Sequence, residues 1–328
     1  MSDSLSLYDT LLLAVRKANP DEDPRRQRVF VWAVVGLLME KTISLPALAL
    51  VIVSAAKAAS RVRRLRRFLA NTHVNVRAYY DALLRQALVG WTAATLYLVL
   101  DTTTLAGKVV ILRVSRVYRG RAIPLVWEVY ERKSVSLPFA AYKEVLAHVN
   151  TLLPPGARVV LLGDRGFRST TLMRWCRKQQ PRWHFRLRLK GNQLVTLADG
   201  REQRLNQLGL RPGQIGFLQD VRLGKERYGP LAIAMAWATT PKAEPWYIAT
   251  DEAAERQTVS EYSWRMDVEQ EFRDDKSGGF QLEDSRLTDP TSVSRLLLVM
   301  SVANLHLVSL GTFVVEREQQ QSVDPHWL

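Results

Sequence analysis

The chain predicts a mixed α/β fold: a mixed sheet flanked by helices, a β-rich insertion, and a helical N-terminal region. Three observations predict it. Residues 1 to about 92 carry only helical patterning with concentrated positive charge. From Leu96 the texture changes to short apolar strands separated by turn residues. After a long Gly-, Gln- and Arg-rich stretch, a helical pattern without Pro or Gly resumes at Tyr262.

In the N-terminal region the run Arg61 to Leu69 places five arginines in seven positions, with Val62, Leu65, Phe68 and Leu69 forming an inner apolar face. Such a helix can lie along phosphates, and Arg63, Arg64 and Arg67 are its candidate DNA contacts; a merely solvated basic face is the other reading. Two apolar stretches lie far apart in the chain. Val29 to Ala56 is broken by Glu40, Lys41 and Pro46, and Leu296 to Val315 contains Asn304 and His306. Both therefore read as buried helices rather than membrane spans.

The first strand, Leu96 to Asp101, ends in an acid and is followed by Thr102, Thr103 and Thr104. Val109 to Tyr118 and Ala122 to Tyr130 complete a meander across an Arg119-Gly120-Arg121 turn, with Pro124 marking an edge or a bulge. A helix spans about Phe139 to Leu152. The continuous apolar run from Arg158 is a buried parallel strand ending at Asp164, before a glycine turn and a helix opened by Ser169 or Thr170. Trp183 to Lys190 alternates, with Arg186, Arg188 and Lys190 on one side. Residues 191–245 form the β-rich insertion, and Trp246 to Thr250 returns to the main sheet. The expected division is a basic helical region at 1–92, the first part of the core at 93–190, the insertion at 191–245, and the last strand and helices at 246–328.

Residues 262–276 are expected to form one helix, stopped by Ser277-Gly278-Gly279. At about 100° per residue, Tyr262, Arg265, Glu269 and Lys276 fall within roughly 60° of one another. That face carries one carboxylate, a phenol and two cations. Glu271 lies opposite, and Asp267, Asp274 and Asp275 sit well to the side, so the wheel singles out Glu269.

Composition narrows the partners. The 328 residues hold 46 Lys and Arg against 32 Asp and Glu, a formal charge of +14, with 47% hydrophobic and 24% charged residues. That is an ordinary globular balance with a basic excess suited to a polyanion such as nucleic acid; a membrane surface is the weaker match. One cysteine, Cys176, excludes a disulfide framework, and the five scattered histidines make no zinc pattern. The start lacks a secretory pattern, so an intracellular protein is expected.

A meander followed by a parallel strand brings the ends of the first and fourth strands together, and a helix across them can aim Glu269 into the gap. Three converging carboxylates repel unless they hold divalent cations, and hard oxygen ligands select Mg²⁺ or Mn²⁺. Two ions roughly 3.5–4 Å apart suit phosphodiester chemistry.

From about Tyr97 to Thr312 this order resembles the DDE transposases of bacterial insertion sequences. The likeness is to the subgroup whose third acid lies in a Tyr-x2-Arg-x3-Glu-x6-Lys signature, matched here at Tyr262, Arg265, Glu269 and Lys276. Asp101-Thr102-Thr103 and Asp164-Arg165-Gly166-Phe167 resemble the forms of the first and second acids. Met266 departs from the family, where many relatives have tryptophan. The resemblance implies a ribonuclease H-like core and two Mg²⁺ or Mn²⁺ ions held by Asp101, Asp164 and Glu269. It implies contacts from Tyr262, Arg265 and Lys276 to double-stranded DNA at inverted-repeat ends. It also implies cut-and-paste transposition into target DNA by a homodimer in the bacterial cytoplasm, at the nucleoid, with no membrane. Some relatives stack a flipped base on a tryptophan of the insertion, which makes Trp237 and Trp246 candidates; core packing is the other reading. The rival functions are a ribonuclease H-like nuclease without strand transfer and a non-catalytic repressor bound at element ends.

Overall fold

The computed structural model describes residues 2–89, 95–266, 268–269, 280–319 and 321. Five helices open the chain: α1 (Ser2–Ala18), α2 (Pro24–Glu40), α3 (Leu45–Val51), α4 (Ala58–Ala70) and α5 (Val76–Leu88). Capping is local and legible: the Asp23 side chain accepts from Arg25 N–H ahead of Pro24, and Asn75 accepts from Ala78 N–H. Gly36 lets α2 approach α3, since a Cβ there would sit 3.1 Å from Leu48.

The strands are β1 (Leu96–Leu105), β2 (Val109–Tyr118), β3 (Arg121–Glu131), β4 (Val159–Gly163), β5 (His184–Arg188), β6 (Leu194–Thr196), β7 (Glu202–Arg204), β8 (Ile215–Leu223), β9 (Tyr228–Ala236) and β10 (Trp246–Thr250). They join in one sheet ordered β3-β2-β1-β4-β5-β10-β9-β8-β6-β7. The expected meander forms. Arg119 and Gly120 both take positive φ, the two-residue turn that matches strand twist. Pro124 lies on the edge strand and also beside a bulge, where the β2–β3 register shifts between Val114 and Ser115. β1, β4 and β5 are parallel, linked through α6 (Phe139–Leu152) and α7 (Thr170–Arg177), the latter capped by Ser169. The insertion continues the sheet, because β10 pairs antiparallel with both β5 and β9.

Alternation divides the sheet faces. Leu96, Leu98 and Leu100 of β1 join the main core with the N-terminal helices, α6 and α9 (Pro290–Glu316). Val99 faces the other way into a small cluster with Ala122, Val160, Leu162 and Val268. Side-chain hydrogen bonds stitch the N-terminal helices to the core: Tyr80 Oη donates to the Pro124 carbonyl at 2.6 Å and Arg295 donates to the Leu69 carbonyl at 3.1 Å. α9 is long and apolar enough to cross a membrane by length and composition, yet Val293 to Ala303 are almost all buried in the core. Its later residues Leu307, Leu310 and Phe313 are exposed.

Candidate active site

The first two acids are brought together by strand register. β1 and β4 run parallel with Leu100 opposite Gly163, so Asp101 and Asp164 follow side by side, one step beyond the last pair. Neighbouring strands lie about 4.8 Å apart. The expectation that β1 ends at the acid is corrected: the strand runs on through the threonines to Leu105, because β2 keeps pairing with it from Arg113 to Val109. It is β4 that stops. Asp101 accepts the Thr102 N–H at 2.8 Å, and Asp164 accepts the Gly166 N–H at 2.7 Å. A Cβ on Gly166 would lie 2.9 Å from Asp164 Oδ1, so this turn needs glycine to leave the carboxylate in place.

The third acid arrives on a helix that differs from the expected one. α8 spans Arg256–Ser263, starting six residues before Tyr262; a turn follows at Trp264, and Arg265, Met266, Val268 and Glu269 are helical again. The early start was hidden because its capping box has inverted residue types, Glu255 at the cap and Thr258 three residues on, with Thr258 Oγ1 accepting the Glu255 N–H at 3.1 Å. Val268 is 1% exposed against Val99, Val160 and Leu162, which seats this segment on the sheet beside Asp101. Lys276 lies outside the described residues, as does the rest of the expected helix from 270 onward.

Arg265 organises the site. Its guanidinium lies 3.5 Å from Asp101 and 2.5 Å from Glu269, and its side chain is 6% exposed against 47% for Glu269. Burial pushes the Asp101 carboxyl up to about 6; Arg265 and the Thr102 N–H oppose this, and the charges of Asp164 and Glu269 add to it. The three carboxylates therefore act on one another. Ionising Asp101 costs more in the fold than in the unfolded chain, a cost absent below about pH 4 and complete above about pH 6. Asp101→Asn should stabilise the metal-free protein at pH 7.5 by up to about 3 kcal/mol, with the gain fading as pH falls to 4. Thermal melts in chelator across that range check it; an equal effect at both ends would refute this account.

The donor set fits a hard divalent cation, being carboxylate oxygen throughout, with the Asp101 carboxyl raised to about 6 chiefly by its burial. Among the described residues no three such groups stand close enough to share an ion as they are placed. The Arg265 guanidinium is the cation between Asp101 and Glu269 here.

Other expected contacts are placed differently. Tyr262 is fully buried, edge-on to Trp246 at 5.1 Å, with Arg265 5.9 Å over its ring, so its hydroxyl is not offered to a partner in this arrangement. Trp246 is thus half-buried packing. Trp237 is half-buried too, donating its indole N–H to the Ala243 carbonyl at 2.9 Å. Arg63, Arg64 and Arg67 are exposed on α4, opposite buried Leu65, Phe68 and Leu69. Residues that sequence reasoning passed over include Glu261 and Tyr97, whose half-buried bond ties α8 to β1 at 2.7 Å, and Trp264, which is 38% exposed beside Arg265 and edge-on to Tyr97. Tyr97 carried a signal, lying on the same strand face as Asp101; a glutamate inside a polar helical stretch carried none.

A family model described as the transposase DDE domain matches residues 140–305, a span that includes Asp164, Tyr262, Arg265 and Glu269. No curated protein matches. Among solved structures, a cryo-EM structure of piggyBac transposase synaptic complex with hairpin DNA matches at 12% identity and TM-score 0.46, covering 93% of this chain and 74% of that one. An X-ray structure of Marinitoga piezophila Argonaute with guide RNA and target DNA matches at 8% identity and TM-score 0.23, covering 64% and 30%. With half of its length matched by that family model, this chain belongs to the DDE-domain transposases, enzymes that act on DNA with divalent metal ions.

Proposed function

We propose that this transposase cuts the ends of an insertion sequence and joins the freed 3′ ends to target DNA, with Asp101, Asp164 and Glu269 as the metal-holding acids. The observation that carries it is the meeting of the β1–β4 register, which sets Asp101 beside Asp164, with Arg265 linking Asp101 to Glu269. Two Mg²⁺ ions held by these acids would supply the Lewis acidity that activates the attacking oxygen and steadies the leaving one. The protein's own part is placement. Val268 seats the helical segment, the Gly166 turn aims Asp164, and Arg265 keeps the acids neutralised before ions and DNA arrive. With ions on the acids, Arg265 would be free to pair with a backbone phosphate, the role its signature position implies for it and for Lys276.

The exposed arginines of α4 add sequence-independent grip on DNA, and pairing of two ends makes a homodimer the working form. Its likeness to bacterial insertion-sequence transposases supports a reaction in the bacterial cytoplasm, at the nucleoid. The test is Mg²⁺-dependent cleavage of element-end DNA in the presence of labelled target plasmid, comparing wild type with Glu269→Gln. Cleavage and joining by wild type, with binding alone by the variant, is expected. Cleavage without joining would make the chain a nuclease, and binding without cleavage by wild type would make it a repressor.

A further inference from the structure

Beside Asp164 the sheet opens into a cavity of about 600 Å³ lined by Arg165, Arg188, Lys190, Asn192, Asn206 and Glu244, among others. It holds three cations and one carboxylate. Arg165 directly follows Asp164 in the chain, and Arg188 follows Leu187, which pairs with Gly163 at the end of β4. The cavity therefore lies at the Asp164 end of β4.

One oxygen of Glu244 takes both Arg165 Nη1 and Arg188 Nη2, each at 3.0 Å. Glu244 stands in the loop between β9 and β10, and that loop is anchored from two sides. Trp237 donates to the Ala243 carbonyl at 2.9 Å, and Arg188 also reaches the Pro245 carbonyl at 3.3 Å. Lys190 is exposed and makes no ion pair among the described residues. Two guanidinium groups from separate elements closing on one oxygen is how arginines take a phosphate oxygen. A carboxylate 59% exposed holds that place only loosely, because exposed pairs contribute about 0.2–1 kcal/mol each.

We propose that this cavity is a subsite for a backbone phosphate of the DNA strand running past Asp164, and that Glu244 is an internal stand-in which DNA displaces. The inference rests on the DNA-cutting function proposed above. Trp237 is then a positioning residue that holds the stand-in in register.

The test is anisotropy of a labelled DNA duplex over a salt series in EDTA, for wild type, Glu244→Gln and Lys190→Ala, with melts to show that each is folded. Glu244→Gln should bind about threefold to tenfold tighter. Its log–log salt slope should steepen, and Lys190→Ala should weaken binding and lower that slope by about one. The gain from Glu244→Gln should vanish in an Arg165→Ala background. Unchanged or weaker binding by Glu244→Gln, or no binding by any form, would overturn the proposal. Mg²⁺-dependent cleavage by wild type separates the two ideas: DNA cut by a protein indifferent to Glu244 sinks the stand-in alone. The expected binding responses without cleavage sink the transposition reading alone.

Discussion

Asp164→Asn is expected to lower DNA cleavage by about a thousandfold or more, roughly 4 kcal/mol of barrier, while folding and DNA binding persist. The substitution isolates charge from structure. Asp164 takes the Gly166 N–H at 2.7 Å, and an asparagine carbonyl oxygen can accept the same bond, so the turn after β4 survives. What disappears is one of the anionic oxygens next to Asp101. Loss of that charge also lightens the repulsion on Asp101, so the variant should melt no lower than wild type at neutral pH. Cleavage in Mg²⁺ and Mn²⁺, anisotropy with end DNA, and a thermal melt check the three parts. Retained cleavage with a normal melt would remove Asp164 from the reaction.

The order of elements was legible because each rests on local chemistry. Turn residues at Arg119 and Gly120, the α7 cap at Ser169, and an unbroken apolar run from Val159 to Gly163 need no distant partner to be understood. The nearness of Asp101 to Asp164 was legible too, since a parallel strand after a meander has few places to go. Where reading stopped short, the deciding partner lies on another element. β1 passes its acid only because β2 continues beside it. Tyr262 looks like an exposed member of a charged face until β9 and β10 deliver Ala232, Ala234 and Ile248 to cover it. A carboxylate in the loop after β9 gives no sign that it will lie across arginines from β5 and the turn after β4. Helical periodicity describes one helix; it is silent on which side the sheet will occupy.

Breaking the buried pair between Glu261 and Arg186 should destabilise the protein by about 3–5 kcal/mol, a fall in the melting midpoint of roughly 4–7 °C. Both residues are nearly sealed from solvent, at 2% and 4% exposure. Arg186 Nε donates to Glu261 at 2.8 Å, Tyr97 donates to the other carboxylate oxygen at 2.7 Å, and Gln257 adds a bond at 3.0 Å. Arg186 is completed by Thr250 at 2.8 Å and Glu252 at 2.9 Å. In Glu261→Leu the guanidinium keeps only Glu252 as a charge partner, and the Tyr97 hydroxyl is left without an acceptor inside the fold. Three strands, β1, β5 and β10, and the helix that leads into Arg265 and Glu269 meet at this point. Loosening it should therefore misplace the third acid as well as lower stability, and cleavage should fall even at temperatures where the variant is folded. Arg227 and Glu202 provide the control: their pair at 2.9 Å is exposed, and removing it should change stability by less than about 1 kcal/mol. Denaturant titrations of both variants settle the contrast. A Glu261→Leu protein as stable as the Glu202→Gln control would mean that the apolar seat of Val268, and not the buried charge network, holds the helix against the sheet.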